Sequence, residues 1–399
     1  MTAISKRVSA MQPSPIRKLV PLADKAKAKG ISVYHLNIGQ PDIPTPEGYW
    51  KSVKENCPEV LTYGPSQGLP FLREAISSYY CKADIPIDKE EIIVTTGGSE
   101  AVFFAFMVTC DPGDEVICFE PFYTNYNGFA AMAGVKLVPV TSKAENGFHL
   151  PPAHEIEEKI TNRTKAILIC TPNNPTGTVL TLDELAVLSG LVRKHNLFLL
   201  SDEVYRDFVF DGGSHTSTLE LSEIQDRVIV MDSISKRFSS CGARLGNLIS
   251  RNKTIMDSAL KLGQARLCPP TIAQYGAAFI YENLHKDYYE NVRETYQGRR
   301  DLMIDELSGV NGVFFLKPEG AFYATLRMPV KDSDRFAAWM LTDFSMNGET
   351  TMVAPAAGFY ATSGLGDDQI RIAYVLSDHK MKKALHILRE GLKTYLKQE

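Results

Sequence analysis

Short apolar runs alternate with longer amphipathic segments between about residues 90 and 250. The runs have the length of buried β-strands and lie at residues 91–95, 115–119, 136–140, 165–170, 197–202, 227–232 and 244–249. A helix is predicted over 182–195, because Thr181 suits its N-cap and Glu184 follows three residues later. Strands that alternate with helices are typical of an α/β domain whose mainly parallel sheet is covered by helices.

The pattern changes near residue 290, where a long polar stretch begins. The elements predicted after this change are a helix over 286–307, strands near Phe314 and over 322–326 and 371–374, and a last helix over about 377–396. We interpret residues 46–289 as a large domain and residues 290–399 as a second, smaller α/β domain. Residues 1–45 are predicted to form an N-terminal arm and part of that smaller domain.

The composition is globular, with 44% hydrophobic and 23% charged residues among 399. A net charge of −4 disfavours a nucleic-acid partner, and no apolar run reaches the roughly 18 residues of a membrane helix. The seven cysteines include no C-x-x-C pair, which favours a reducing cytoplasm, and the histidines form no H-E-x-x-H metal motif. The basic first 30 residues leave a transit peptide open, although Pro13, Pro15 and Pro21 would interrupt its helix.

Polar segments follow five of the predicted strands. In chain order they read TTGGSE, EPFYTNY, TPNNPTG, SDEVY and DSISKRFSSCGARLG. Ligands of open parallel sheets bind at the carboxyl ends of the strands, so these segments are expected to meet around one ligand. They supply a phosphate-binding turn, an aromatic ring, an amide, a carboxylate with a phenol, and a lysine with an arginine. One cofactor uses all of these groups, and it is pyridoxal 5′-phosphate (PLP).

Lys236, Asp202 and Tyr205 are predicted to be the catalytic residues. Lys236 is expected to hold the cofactor as a Schiff base and to move protons between substrate and cofactor. Asp202, at the end of an apolar strand, is expected to keep the pyridine nitrogen protonated. The alternatives are a solvated surface lysine and a helix-capping aspartate. Tyr205 and Asn174 are predicted to contact the phenolate oxygen of the ring.

The phosphate is expected to lie at the start of a helix. Gly98 and Ser99 would present free backbone N–H groups there, and Ser233, Ser235 and Arg244 would add hydroxyl and guanidinium donors. A simple tight turn is the alternative for the glycines. The apolar neighbours of Arg244 predict that its side chain is buried.

Two further residues complete the pattern predicted for the site. Tyr123 is expected to stack on the pyridine ring, with ordinary core packing as the alternative. Arg371 alternates with apolar residues and is expected to bind the substrate α-carboxylate, with a surface ion pair as the alternative.

Taken together, TPNNPTG, SDEVY, DSISKRFSSCGARLG, PEGAFY and IRIAY resemble the class I/II (aspartate aminotransferase-like) PLP enzymes of fold type I. The resemblance covers nearly the whole chain, from NIGQPDIPTP onward. It implies a seven-stranded-type, mainly parallel sheet and a homodimer with shared active sites. It also implies that Gly39 lies beside the substrate carboxylate, that Tyr63 reaches the phosphate of the neighbouring subunit, and that the Asn174–Pro175 bond is cis.

One position departs from part of the family. Some bacterial aspartate enzymes carry a lysine for the distal carboxylate of the substrate where this chain has Ser99. The segments GGSEA, SCGAR and QARLCPP resemble archaeal-type aspartate aminotransferases more closely than those bacterial enzymes. In that setting Arg266 is the candidate for the distal carboxylate, supplied within the subunit or across the dimer. Phosphate anchoring and interface packing are equal alternatives for Arg266.

The resemblance implies an aminotransferase that works by a ping-pong mechanism through pyridoxamine phosphate. Aspartate is the first candidate donor and 2-oxoglutarate the first candidate acceptor. An aromatic or broad-range aminotransferase and a PLP β-lyase or cyclising synthase are the alternatives. A PLP-fold transcription regulator would need a DNA-binding module, for which the 36 residues before Asn37 are too few. A dinucleotide dehydrogenase would need a G-x-G-x-x-G motif after a strand, and the sequence has none.

Overall fold

The computed structural model describes residues 4–9, 11 and 14–398, so Pro13 and other parts of the predicted N-terminal arm lie outside the described residues. The strands are β1 (Ser32–His35), β2 (Ile92–Thr95), β3 (Glu115–Glu120), β4 (Lys136–Thr141), β5 (Thr164–Cys170), β6 (Phe198–Asp202), β7 (Val228–Ser233), β8 (Gly246–Ile249), β9 (Tyr323–Arg327), β10 (Glu349–Met352), β11 (Ala354–Pro355) and β12 (Gln369–Ala373). The α-helices are α1 (Lys6–Ser9), α2 (Val20–Ala28), α3 (Glu47–Glu55), α4 (Pro70–Cys81), α5 (Gly97–Thr109), α6 (Asn125–Ala133), α7 (Ala153–Glu157), α8 (Leu182–His195), α9 (Ile234–Arg237), α10 (Lys253–Arg266), α11 (Thr271–Asn283), α12 (Lys286–Leu307), α13 (Ser333–Thr342) and α14 (Asp378–Leu396).

Strands β2 to β8 form one sheet in the order β2-β8-β7-β6-β5-β3-β4. Neighbours from β7 to β4 run parallel, whereas β8 lies antiparallel between β2 and β7. The α/β class and the mainly parallel, seven-stranded sheet are therefore confirmed. Each strand lies within two residues of its predicted bounds, because a fully buried strand must be apolar along its whole length.

The helices that flank the sheet follow from local sequence signals. Thr181 and Glu184 form the predicted capping box, and α8 begins at the next residue after the cap. Helix α5 is apolar nearly all round and is mostly buried, as expected for a helix enclosed by other elements. Its first residue, Gly97, directly follows the loop after β2, so the amino end of the helix is directed toward the carboxyl ends of the central strands.

The C-terminal part of the chain builds a second core. Strands β11, β12 and β9 form an antiparallel sheet, and helices α12 and α14 pack together. The N-terminal segment joins this core, since β1 pairs in parallel with β10 and Leu19 and Leu36 are buried with its residues. Phe314, predicted near a strand, makes an isolated bridge with Arg327. The exact domain boundaries at 45/46 and 289/290 stay predictions.

Two further properties bear on the predictions from composition. All seven cysteines are free thiols. Among the described residues, no helix combines the length and the apolar character that crossing a membrane requires.

Candidate active site

A cleft of about 430 Å³ lies where the carboxyl ends of the central strands face β12 and the N-terminal segment. Most of the predicted site residues meet in it. Those that line the cleft are Gly39, Gly98, Ser99, Tyr123, Asn174, Asp202, Tyr205, Ser233, Ser235, Lys236, Arg244 and Arg371. Two predicted residues, Tyr63 and Arg266, do not line the cleft of the single chain.

Lys236 reaches the cleft from the short helix α9, which begins directly after β7. Its Nζ donates a hydrogen bond to the Gly39 carbonyl oxygen at 2.8 Å and lies 3.8 Å from Cys241 Sγ. Lys236 is half-buried in the wall of the cleft rather than on the outer surface, and no ion pair of the described residues involves its amine. The amine is therefore available to a ligand in the cleft.

Asp202, the last residue of β6, is partly buried at the floor of the cleft. Burial raises the pKa of its carboxyl to about 6, although the Tyr126 hydroxyl and the Val204 N–H oppose this by hydrogen bonding. The Tyr126 hydroxyl donates to Asp202 Oδ2 at 2.7 Å. No cation of the described residues pairs with this carboxylate, so a cationic ligand atom beside it would be strongly favoured.

Arg371 lies in β12 and is fully buried, with 1% of its surface exposed. Its Nη1 donates to Asn174 Oδ1 at 3.0 Å, its Nη2 donates to the Asn37 carbonyl oxygen, and its Nε has no partner among the described residues. Burial lowers the pKa of the guanidinium. The alternative of a surface ion pair is therefore excluded.

The phenol of Tyr205 shares a hydrogen bond of 2.9 Å with the hydroxyl of Tyr323, and both rings line the cleft. The Arg371 guanidinium lies over the Tyr323 ring at 4.6 Å. Phenol, amide and guanidinium thus form a continuous set of polar groups along one wall of the cleft.

A small polar turn lies at the amino end of α5. Ser233 caps α9 through its side chain, which accepts from the Ser235 N–H at 3.1 Å. Gly97 has a left-handed φ of 75°, which glycine adopts without strain, and the guanidinium of Arg244 lies close to this start of the helix. Arg244 itself is exposed, which makes the predicted burial of its side chain wrong. Its backbone is left-handed, with φ of 52°, where the chain leaves the short turn Cys241–Ala243.

The ring of Tyr123 lines the cleft above the strand ends. Its hydroxyl accepts a hydrogen bond from Asn125 Nδ2 at 2.7 Å, and burial raises the pKa of the phenol to about 12. Core packing alone does not account for this position, because the ring contacts the cavity.

Tyr63 is 80% exposed. Arg266 is held by Glu100 at 2.8 Å and by the Ser66 carbonyl oxygen at 2.9 Å. The resemblance implied that the Asn174–Pro175 bond is cis, and this expectation is wrong. The cis peptide bond of this loop is Thr171–Pro172.

The residues of the cleft fit PLP. The chain offers an amine without a counter-ion, a carboxylate without a cation, and serine and glycine donors at a helix amino end beside an arginine. These groups match the aldehyde, the pyridine nitrogen and the phosphate of that cofactor.

Several residues of the site escaped the sequence reasoning. They are Arg17 and Ile16 in the N-terminal segment, Asn37, Tyr126, Cys241 and Tyr323. Tyr323 stands in the PEGAFY segment and Tyr126 in EPFYTNY, so the motifs contained a signal for both. Nothing in the sequence singles out Arg17.

Comparisons with known proteins agree with this geometry. A family model described as aminotransferase class I and II matches residues 31–388. The probable aspartate/prephenate aminotransferase of Aquifex aeolicus is 32% identical over 397 residues, and aromatic-amino-acid aminotransferase 2 of Thermococcus litoralis is 32% identical over 395 residues; each alignment covers 98% of both chains. The structure of aspartate aminotransferase from Thermus thermophilus with maleate is similar at a TM-score of 0.89 and 29% identity, over 98% of this chain and 100% of that one.

The chain belongs to the class I and II aminotransferases. It is a PLP-dependent enzyme of fold type I that transfers an amino group.

Proposed function

We propose that the enzyme transfers the amino group of aspartate to 2-oxoglutarate in two half-reactions within one cleft. The observation that carries this proposal is the buried, incompletely paired guanidinium of Arg371 in the same cleft as the free amine of Lys236. A buried guanidinium is costly unless a carboxylate joins it, and every amino acid and 2-oxo acid substrate brings one.

When bound, PLP supplies a carbonyl carbon for the amino group and an electron sink for the bond that breaks. Lys236 Nζ is proposed to hold the cofactor and to move the proton that leaves the substrate Cα. Asp202 is proposed to keep the proton on the pyridine nitrogen, because its buried carboxylate lacks any other cation. The amino end of α5, with Ser233, Ser235 and Arg244, is proposed to bind the phosphate.

The substrate side is proposed to use Arg371 for the α-carboxylate, with Gly39 beside it. Asn174 accepts from Arg371, which orients the guanidinium, and its amide nitrogen remains available to the ring oxygen. Tyr205 is proposed to donate to the same ring oxygen, and Tyr123 to cover the ring face. Both phenols stay protonated at neutral pH, since burial raises the pKa of each.

Aspartate is our first candidate donor because relatives that align with nearly the full length of this chain are named for aspartate. The similar Thermus structure also contains maleate, a dicarboxylate. An aromatic amino acid is the second candidate donor, since the Thermococcus relative is named for aromatic amino acids. Measuring kcat/KM for a panel of amino acids with 2-oxoglutarate ranks the two. A preference for phenylalanine or tyrosine over aspartate would overturn the first choice.

A single half-reaction separates transfer from lyase chemistry. Mixed with L-aspartate alone, an aminotransferase forms one oxaloacetate per active site and then stops. Continued turnover without any 2-oxo acid would contradict the proposal and favour a β-lyase.

We also propose a homodimer in which Tyr63 reaches the phosphate of the neighbouring site. Val60, Leu61, Tyr63 and Leu267 are at least half exposed in the single chain, and Gly64 approaches Cys268 closely enough to place the two segments side by side. Exposed apolar residues grouped in this way are typical of a subunit interface. Arg266 does not line the cleft of its own chain, so it stays a candidate for the distal carboxylate of the substrate only in the active site of the neighbouring subunit. The free thiols support a cytoplasmic location.

Complementation tests the shared site. Lys236→Ala and Tyr63→Ala are purified separately, mixed and allowed to exchange subunits. A mixed dimer then holds one site with both residues intact, so activity should exceed that of either variant alone. If the mixture stays as inactive as its components while sedimentation shows exchanged dimers, Tyr63 acts within its own subunit.

A further inference from the structure

Four cations line the cleft among the described residues: Arg17, Lys236, Arg244 and Arg371. Three of them have polar partners in the structure. Lys236 donates to Gly39, Arg244 donates to Cys241, and Arg371 donates to Asn174. The guanidinium of Arg17 has no hydrogen bond and no ion pair with any described residue, and its side chain is exposed at the cleft wall. Among the described residues, no group therefore pairs with this charge.

The backbone that carries Arg17 is fixed in place. The Ile16 carbonyl oxygen accepts from Asn37 Nδ2 at 3.3 Å, and the Val20 N–H donates to the Arg17 carbonyl oxygen at 3.0 Å. Leu19 is buried in the core of the C-terminal part of the chain. Arg17 is therefore held over the cleft by contacts on both sides of it, even though its own side chain is free.

Asn37 joins this segment to the proposed carboxylate site. Its side chain holds the Ile16 carbonyl oxygen, and its backbone carbonyl oxygen accepts from Arg371 Nη2. Asn37 thus connects the backbone next to Arg17 with the guanidinium of Arg371, so the segment that carries Arg17 lies close to the proposed carboxylate site.

A dicarboxylic substrate brings a second negative charge to this side of the cleft. Asp202 is the only carboxylate among the described residues that line it, and Arg266 is already paired with Glu100 outside it. Ser99, at the start of α5, is uncharged. We propose that Arg17 binds the distal carboxylate of the substrate and thereby sets the preference for dicarboxylic amino and oxo acids. This inference rests on the proposed use of aspartate and 2-oxoglutarate.

The test compares Arg17→Gln with the matched variant Lys18→Gln in the holoenzyme. The latter removes a neighbouring charge and an arm contact but no cleft-lining group. The readouts are the dissociation constant of maleate, followed through the cofactor absorbance, and kcat/KM for aspartate and for phenylalanine. A charge-assisted contact is worth about 1.5–3 kcal/mol, or roughly 10- to 100-fold.

Arg17→Gln should weaken maleate binding and lower kcat/KM for aspartate by about tenfold or more, while phenylalanine changes less than about twofold. Arg17→Lys should recover part of the loss, and Lys18→Gln should retain wild-type values. An equal loss for aspartate and phenylalanine, or the same loss in Lys18→Gln, would show that Arg17 only supports the segment and would overturn the inference. If the wild-type enzyme binds maleate and uses aspartate, and Arg17→Gln does so equally well, the inference fails while the proposed function stands. A wild-type enzyme that neither binds maleate nor uses aspartate fails the proposed substrate itself.

Discussion

On the cofactor side of the cleft, each reacting residue stands where a central strand ends: Asp202 closes β6, and Lys236 follows β7 by three residues. On the substrate side, Arg371 comes from a different sheet and is held by Asn37, which lies 334 positions away in the sequence. The first side is assembled by one sheet and its loops. The second is assembled by contacts between the two ends of the chain.

The difference has a physical consequence. Residues at the ends of adjacent parallel strands are placed by the backbone hydrogen bonds of the sheet, so their positions depend little on any one side chain. Arg371 and its neighbours depend on packing between the N-terminal segment and the C-terminal core. We therefore expect the cofactor side to keep its geometry when one side-chain contact is removed. The substrate side should lose substrate affinity when one contact is removed.

The largest expected effect is on the cofactor side. Lys236→Ala should lower kcat by about 10⁴-fold or more, because one amine both holds the cofactor and moves the proton. The fold should persist, since the amine makes a single direct hydrogen bond to oxygen. Steady-state rates, circular dichroism and the visible absorbance of the enzyme with PLP check this together.

The exposed Lys194, in α8 and paired with Glu157 of α7, supplies the control. Lys194→Ala should keep its rate and its absorbance. An absorbance spectrum of Lys236→Ala identical to that of the wild type would assign the cofactor to another lysine.

The next effect tests the substrate side. Arg371→Gln should lower kcat/KM by about 10²- to 10³-fold through KM, because it removes one partner of a buried charge pair. Cofactor affinity should change little, and Arg371→Lys should recover part of the loss. Arg327→Gln, in the same sheet but paired with Glu145 at the surface, is the control and should stay near wild type. Equal effects of both variants would mean that the sheet, not the guanidinium, matters.

The same division explains what the sequence could predict. Lys236, Asp202 and Tyr205 lie in contiguous motifs after apolar strands, so the pattern alone located them at one edge of the sheet. The burial of Arg371 and its bond to Asn37 depend on tertiary packing that no local pattern records. Arg17 lacks a motif altogether.

Long-range pairing and backbone conformation account for the other differences. The parallel pairing of β1 with β10 joins Ser32 to Glu349, and neither strand is long or apolar enough to be predicted alone. Arg244 was expected to be buried because its neighbours are apolar, but it directly follows the short turn Cys241–Ala243 and is exposed. A sequence pattern gives the average environment of a residue, whereas the exposure of one side chain depends on the turn that carries it.

The buried carboxylate on the cofactor side should also lower the free energy of unfolding of the cofactor-free protein. Burial raises the pKa of Asp202 from 3.8 to about 6. Ionisation of this carboxyl therefore lowers the free energy of unfolding as pH rises from about 4 to about 6, and the full loss remains at higher pH. Asp202→Asn should therefore stabilise the cofactor-free protein by about 3 kcal/mol above pH 7, and by about half as much at pH 5. Denaturant unfolding at both pH values measures this difference.

The exposed Asp183, in the first turn of α8, is the matched control. Asp183→Asn should give no such pH-dependent gain. A gain in Asp202→Asn that is independent of pH would show that the carboxylate is not desolvated. With PLP bound, the same variant should lose activity, because the amide cannot hold a proton on the pyridine nitrogen.

The smallest effect concerns a contact that supports the carboxylate on the cofactor side. Tyr126 donates to the Asp202 carboxylate at 2.7 Å, and a hydrogen bond to a charged group contributes about 1.5–3 kcal/mol. Tyr126→Phe should therefore weaken PLP binding by about 10- to 100-fold, measured by equilibrium titration of the cofactor-free protein. Tyr281→Phe removes a buried hydroxyl that has no hydrogen-bond partner among the described residues, so it should leave PLP affinity unchanged. Asp202→Asn removes the carboxylate itself and should lose more PLP affinity than Tyr126→Phe. An equal loss in the two variants would mean that the carboxylate depends on one side chain for its position and that the sheet alone does not fix the cofactor side.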